Sequence, residues 1–252
     1  MPSLLTRGSA SLRNFGFTSR AGTITSSEGL PVQTGLQVHL DAGRTVSYPG
    51  SGQTWYNLAS GGSNWSSVSL SPTFNGSSFG GGFSGAGWYW TVDTSVTDTW
   101  SYEIWCMPSG TINVWGVGGW SIGGNGFVIA ADNRGGETGG GLSVGTNGYT
   151  VIQHANSYFY TSASNGITVS STVPTHFIVT MTSRLPRVYV NGSLNTTGSD
   201  LGATVRSSGS RIGYGDYGSF SGTYYIARMY NIALDATQVL TNYNAEKSRF
   251  GL

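Results

Sequence analysis

Tyr224-Tyr225-Ile226-Ala227-Arg228-Met229-Tyr230 reads as a β-strand running into the last helix of the chain, and the fold is decided at that junction. Alternation places Tyr224, Ile226, Arg228 and Tyr230 on one face and Tyr225, Ala227 and Met229 on the other. Asn231-Ile232-Ala233-Leu234 leaves the strand. Asp235 then supplies an N-cap, and Gln238 three residues on completes a capping-box pattern. Val239, Leu240 and Tyr243 share one face at helical spacing. Lys247 and Arg249 suit the C-terminal end of the macrodipole and Gly251 stops the run, so the spacing predicts a helix over about 235–248. It is the one convincing amphipathic helix in the sequence. A lone helix closing a chain of strands predicts an ordered cap on a β-domain.

Upstream of this junction the strands declare themselves by alternation and turn chemistry. Thr175 to Met181 and Arg187 to Val190 are hairpin partners, and Asn191-Gly192 makes a type I′ turn into Leu194, because both turn positions need positive φ. Ser101 to Met107 carries large groups on both faces, which predicts a central strand, and Pro108 ends it. Gly35 to Gly43 alternates, with Leu36, Val38 and Leu40 facing one way and Gln37, His39 and Asp41 the other. His39 is expected to be solvated. Further short strands lie between Gly, Asn and Pro turns, roughly a dozen in all, at the spacing of a sandwich or jelly roll.

Residues 1–34 differ from the rest. Arg7, Arg13 and Arg20 recur among Ser, Gly, Thr and Ala, and Phe15 and Phe17 flank Gly16. Two readings stand: a disordered leader, or an extended arm that docks on a partner through its aromatic and Arg residues.

Composition narrows the function. In 252 residues only 9% are charged, 13% are aromatic and 40 are Gly, with net charge +1. That excludes disorder by composition and leaves no electrostatic footprint for nucleic acid. No apolar window is long enough to span a membrane, and the start of the chain lacks a secretory h-region. Cys106 is single, so no intrachain disulfide forms; between Trp105 and Met107 it reads as a small buried hydrophobe.

In order and spacing, several of these stretches together resemble one family. Gly35 to Gly43, Tyr48-Pro49-Gly50-Ser51-Gly52, Trp55-Tyr56-Asn57-Leu58, Tyr102-Glu103-Ile104-Trp105 and Val188-Tyr189-Val190-Asn191-Gly192 are similar to the concanavalin A-like, laminin-G-like domains of bacteriophage structural proteins. So are Phe220-Ser221-Gly222, Ala227 to Leu234 and the ending Lys247 to Leu252. The resemblance covers residues 35–252. It implies an all-β fold, a two-sheet antiparallel jelly-roll sandwich preceded by the arm and closed by the helix. It also implies surface-exposed binding or scaffolding work. Where many relatives carry acids, this chain has Phe83-Ser84-Gly85-Ala86-Gly87-Trp88-Tyr89, which lowers the expectation of a metal there.

Chemistry-bearing constellations are sparse. A glycosidase needs two carboxylates placed about one bond; Glu103 is the sole acid of its strand, and Asp93 and Asp98 lie in a Thr-rich loop. His39, His154 and His176 show no metal-ligand spacing. No catalytic residue is assigned and no enzyme is expected. Calcium is common on this fold by resemblance, and Asp132, Asn133 and Glu137 place three oxygen donors in one Gly-rich loop; a solvated loop is the alternative. All eight Trp fall between Trp55 and Trp120. Trp88, Trp90, Trp115 and Trp120, with Asn133 and Arg134 for sugar hydroxyls, form a candidate glycan platform, against which stands burial in a core or interface.

The sequence therefore predicts a non-catalytic bacteriophage virion protein, a capsid decoration or tail-associated piece. It would be made in the host cytoplasm and exposed on the particle. The arm would bind other virion proteins, and the body is expected to form a homo-oligomer. The alternative is a receptor-binding, lectin-like fibre or spike protein that binds host surface polysaccharide.

Overall fold

The structure, a computed structural model, describes residues 29–68, 73–80, 87–89, 99–109, 115–116, 122–123, 127–129, 139–144, 150–154, 157–161, 170–200, 206–207, 211–212, 214–215, 218–220 and 222–252. Its strands are β1 (Leu36–Asp41), β2 (Thr54–Trp55), β3 (Trp65–Val68), β4 (Thr73–Phe74), β5 (Phe79–Gly80), β6 (Gly87–Tyr89) and β7 (Trp100–Pro108). There follow β8 (Trp115–Gly116), β9 (Ile122–Gly123), β10 (Phe127–Ile129), β11 (Gly139–Val144), β12 (Thr150–His154) and β13 (Ser157–Thr161). The last group is β14 (Thr175–Thr182), β15 (Leu185–Val190), β16 (Ser193–Thr197), β17 (Arg206–Ser207), β18 (Arg211–Ile212), β19 (Tyr214–Gly215), β20 (Gly218–Ser219) and β21 (Gly222–Tyr230). Helix α1 (Ala236–Glu246) and a 3₁₀ turn (Lys247–Phe250) complete the chain.

Two large sheets form. The first has eight strands in the order β16-β15-β14-β7-β21-β5-β4, with β1 also on β21. The second has nine, in the order β13-β12-β11-β10-β18-β6-β3-β2, with β17 on β11. The pairing is antiparallel except between β11 and β17. This is the all-β, two-sheet sandwich expected from the sequence, with one short C-terminal helix. As the sequence predicts, Ser101 to Met107 lies in a central strand, β7, paired on both sides by β14 and β21.

Alternation along the strands builds two cores. Trp100, Tyr102, Ile104 and Cys106 of β7 point between the sheets, beside Phe177, Val179 and Met181 of β14. Trp55, Trp65, Leu142, Val144 and Ile212 meet them from the second sheet. Each such apolar side chain contributes about 1.5–3 kcal/mol when removed from water. The opposite face of the first sheet carries Ile178, Tyr189 and Tyr230, covered by Leu234 and Val239 of the closing segment, with Val32, Leu36 and Ile232 packed around them. The C-terminal helix is thus a third layer.

Three expectations about side-chain direction are corrected. In β21 the register shifts between Tyr224, opposite Cys106, and Ile226, opposite Trp105. This bulge leaves Tyr225 as the extra residue, so Tyr224 turns into the inter-sheet core while Ile226, Arg228 and Tyr230 face the helix. A shift in β1 between Leu36 and Val38 likewise puts Leu36 with the helix-side cluster, away from Val38 and Leu40. In α1 the capping box of Asp235 and Gln238 is present, but the buried stripe is Val239, Asn242, Ala245 and Glu246, while Leu240 is exposed. The helix ends at Glu246, and Gly251, at φ 73°, caps the 3₁₀ turn.

Candidate functional site

The outer face of the first sheet holds an ionic cluster sealed by α1. Glu103 on β7 is directly opposite Arg228 on β21 and Ile178 on β14, so strand register brings these positions side by side. Arg228 Nη1 donates to Glu103 Oε1 at 2.7 Å, and Arg228 Nη2 donates to Glu246 Oε1. His176 Nε2 donates to Glu103 Oε1 at 3.1 Å, Asn242 Nδ2 to Oε2 at 2.6 Å and the Tyr230 hydroxyl to Oε2 at 3.5 Å. Asn242 Oδ1 in turn accepts the Val32 backbone N–H at 2.7 Å, which ties the approach to β1 onto the helix.

Burial pushes the Glu103 carboxyl up, but the Arg228 guanidinium and the hydrogen bonds from His176 and Arg228 outweigh it and hold the group below the ordinary range. For Glu246 burial wins over Arg228, and its carboxyl is raised. Glu103 and Glu246 therefore face each other across one guanidinium, both buried. Glu103 already accepts four hydrogen bonds and sees no solvent, so it offers neither a path nor a lone pair to a sugar. What this arrangement does is hold the sheet to the helix.

Beside it lies the group His39, Asp41 and Glu246, whose candidate donor atoms fall within 4.8 Å of one another. His39 and Asp41, two apart on β1, face the helix together. His39 is buried, not solvated as expected from the sequence, because the closing segment covers its face. Burial first, then the charges of Arg228, Arg44 and Arg249, keep its imidazole well below the ordinary pKa and therefore neutral. Those three guanidiniums already balance Glu103, Glu246 and Asp41. Asp41 Oδ2 accepts from Arg44 Nε at 2.9 Å and from Arg249 Nη1 at 2.8 Å. The donor set thus does not fit a divalent cation, since Arg249 fills the cation's place. Gly43 makes room for it: a Cβ there would overlap Arg249 Nη2.

The β14–β15 hairpin of the first sheet ends in a turn beside the exposed Leu185. The turn residues Ser183 and Arg184 both have left-handed backbones, φ 46° and 72°. The next turn of the same sheet, Asn191-Gly192 at φ 47° and 79°, is the predicted type I′ turn with the residues it favours. Placing Ser and Arg in that conformation costs about 1–2 kcal/mol per residue. Arg184 Nη2 donates to Asp200 Oδ2 at 2.7 Å, but both side chains are exposed, and such surface pairs contribute about 0–1 kcal/mol. Three residues on, Arg187 is half-buried between Thr180 and Thr197, its direct cross-strand neighbours. Among the described side chains Arg44, Arg184, Arg228 and Arg249 each have a carboxylate partner, whereas Arg187 has none.

The glycan candidates fall outside the described side chains: Trp90, Trp120, Asn133 and Arg134 wholly, Trp88 and Trp115 except for their backbone in β6 and β8. The same holds for Asp132, Asn133 and Glu137 of the calcium loop, and for Arg7, Arg13, Phe15, Phe17 and Arg20 of the arm. The four Trp whose side chains are described, Trp55, Trp65, Trp100 and Trp105, are all fully buried. Cys106 is buried in the inter-sheet core, where burial pushes its thiol up.

The sequence matches no protein-family profile and no curated protein. Solved structures match in shape. Trypanosoma rangeli sialidase aligns at TM-score 0.58 and 19% identity over 84% of this chain and 33% of that one. The binding domain of Botulinum neurotoxin DC, in complex with SialylT, aligns at 0.54 and 14% over 84% and 52%. Domain 4 of AbnA, a GH43 extracellular arabinanase of Geobacillus stearothermophilus in complex with arabinotriose, aligns at 0.51 and 16% over 82% and 98%. At these identities the likeness is one of fold. This chain spans a third of the sialidase and about half of the neurotoxin binding domain, but nearly all of the arabinanase domain.

Proposed function

We propose that this chain is a non-catalytic carbohydrate-binding β-sandwich, displayed outward on a bacteriophage particle. The observation that carries the binding half is the match of the fold, over 82% of this chain and 98% of that one, to an arabinanase domain bound to arabinotriose. The non-catalytic half is supported by the sealed acids. Glu103, Glu246 and Asp41 gather as a hydrolase would need, yet each is buried and locked to a guanidinium. Host surface polysaccharide is the proposed ligand class.

Display on a virion rests on the laminin-G-like stretches between Gly35 and Leu252 and on a polar, nearly uncharged composition. In this reading the arm expected over residues 1–34 docks the body on other virion proteins, with Val32 near its end held against the helix, and the body assembles as a homo-oligomer. A purely structural decoration role is the second reading, favoured by the burial of all four described Trp.

The test is a glycan array probed with the purified chain, followed by product analysis on each bound polysaccharide. Retention of intact glycan supports the lectin-like reading. Silence across the array, with the protein still located on particles by immunolabelling, supports the decoration. Removing residues 1–28 is expected to leave the body folded and to abolish incorporation into particles; normal incorporation removes the docking role.

A further inference from the structure

We propose that the Ser183-Arg184 turn and Arg187 form a cationic shelf that binds the carboxylate of an acidic sugar. This rests on the carbohydrate-binding reading and narrows it to a ligand class.

Two independent observations point to the shelf. The first is the backbone. One hairpin of the sheet turns on Asn191-Gly192, which adopt positive φ at little cost, while the neighbouring hairpin forces Ser183 and Arg184 into the same region. Strain held at an exposed tip is a mark of function when the local contacts do not offset it. Here the local contact is a solvent-exposed ion pair with Asp200, weaker than the strain. Arg184 thus occupies a turn position that its backbone preference does not favour.

The second is Arg187. In a chain with few charges, its guanidinium stands on the outer face of the first sheet without an acidic partner among the described residues. The apolar contact of the helix with β15 is made at Tyr189, and Arg187 lies two residues beyond it on the same face. Leu185, two residues from Arg187, shares that face and is exposed. Thr197 supplies an exposed hydroxyl directly opposite Arg187.

These groups match one ligand chemistry. Arg187 is free to take a carboxylate in bidentate fashion, and Arg184 can exchange Asp200 for the same group. Leu185 offers an apolar patch to sugar C–H bonds, and Thr197 a partner for a hydroxyl. The two arginines are three residues apart in the chain, Arg184 in the turn and Arg187 on β15. Asp200 acts as an internal competitor that occupies Arg184 until ligand arrives.

The experiment measures binding of the full chain to polysialic acid, polygalacturonate, neutral dextran and poly-glutamate by biolayer interferometry. Arg187→Gln and Arg184→Gln are each expected to weaken acidic-glycan binding at least tenfold with Tm unchanged or raised, and Asp200→Asn to strengthen it. The double variant Ser183→Asn/Arg184→Gly is expected to raise Tm while losing the acidic ligand, which a merely structural turn would not do. Preference for one acidic polymer identifies a sialic or a uronic acid as the source. Acidic-glycan binding indifferent to both Arg→Gln variants overturns the shelf, and poly-glutamate binding as tight as the glycan overturns the sugar assignment. Binding confined to neutral glycan overturns the shelf and leaves the carbohydrate reading standing; no binding to any sugar in this set or on the array overturns both.

Discussion

At the scale of single residues, Arg228 is the group on which most depends. It is fully buried and joins Glu103 of the sheet to Glu246 of the helix. Removing it takes the close guanidinium partner from two buried carboxylates. Glu103 is left to His176, Asn242 and Tyr230, and Glu246 to Arg249 at 3.8 Å. Arg228→Ala is therefore expected to cost about 3–5 kcal/mol in urea denaturation. Gly43→Ala would push the Arg249 guanidinium off Asp41, and a loss of about 1 kcal/mol is expected from the weakened pair. A wild-type-like midpoint for either variant would contradict the placement of the guanidinium concerned.

His39 gives this cluster its pH dependence. Its folded pKa lies well below the ordinary 6.5, so the unfolded chain binds a proton that the folded chain refuses. Its contribution to stability is complete above about pH 6.5 and is lost as pH falls toward the folded pKa. Glu103, held low, adds a further loss below its ordinary 4.5. Glu246, held high, acts in the opposite sense between 4.5 and its raised pKa. His39→Gln is therefore expected to flatten the fall in stability between about pH 6.5 and 5, measured by urea midpoints across that range; an unchanged slope would place His39 in solvent.

Elements were legible to different degrees, for physical reasons. The helix, its capping box and the Asn191-Gly192 turn could be read because their signals are local. The bulge at Tyr225 could not, since nothing in an aromatic run marks which residue is extra. The turn at Ser183-Arg184 was equally silent, because neither residue favours positive φ. The ionic cluster left only a faint trace: Glu103, Arg228, His39 and Asp41 occupy positions that a half-buried strand gives to solvent, and Glu246 lies 143 residues from Glu103. Only the helix as a third layer makes those positions interior. The helix face departs from the expected one at Leu240, which is exposed. Val239→Ala is expected to cost about 2 kcal/mol and Leu240→Gln less than about 0.5. Thermal denaturation giving the reverse order would contradict the orientation of α1.

For the whole molecule, the sandwich leaves the outer face of the first sheet divided. One part is closed by α1 and the charge-balanced cluster, and the other ends in the open β14–β15 hairpin with Arg184 and Arg187. Among the described residues the gathered acids lie in the closed part, and the proposed adhesive surface is the other. Trp90 and Trp120, among the aromatic residues the sequence offers for sugar contact, lie outside the described residues, and the proposed surface is a different one.

The most direct measurement combines isothermal titration with analysis of reducing ends, using the intact chain and a host-type acidic polysaccharide. Saturable binding, with the polymer recovered at its original length after prolonged incubation, is the expected result. Newly released reducing ends, or no heat of binding with any polysaccharide retained on the array, would contradict a protein that holds sugars without cutting them.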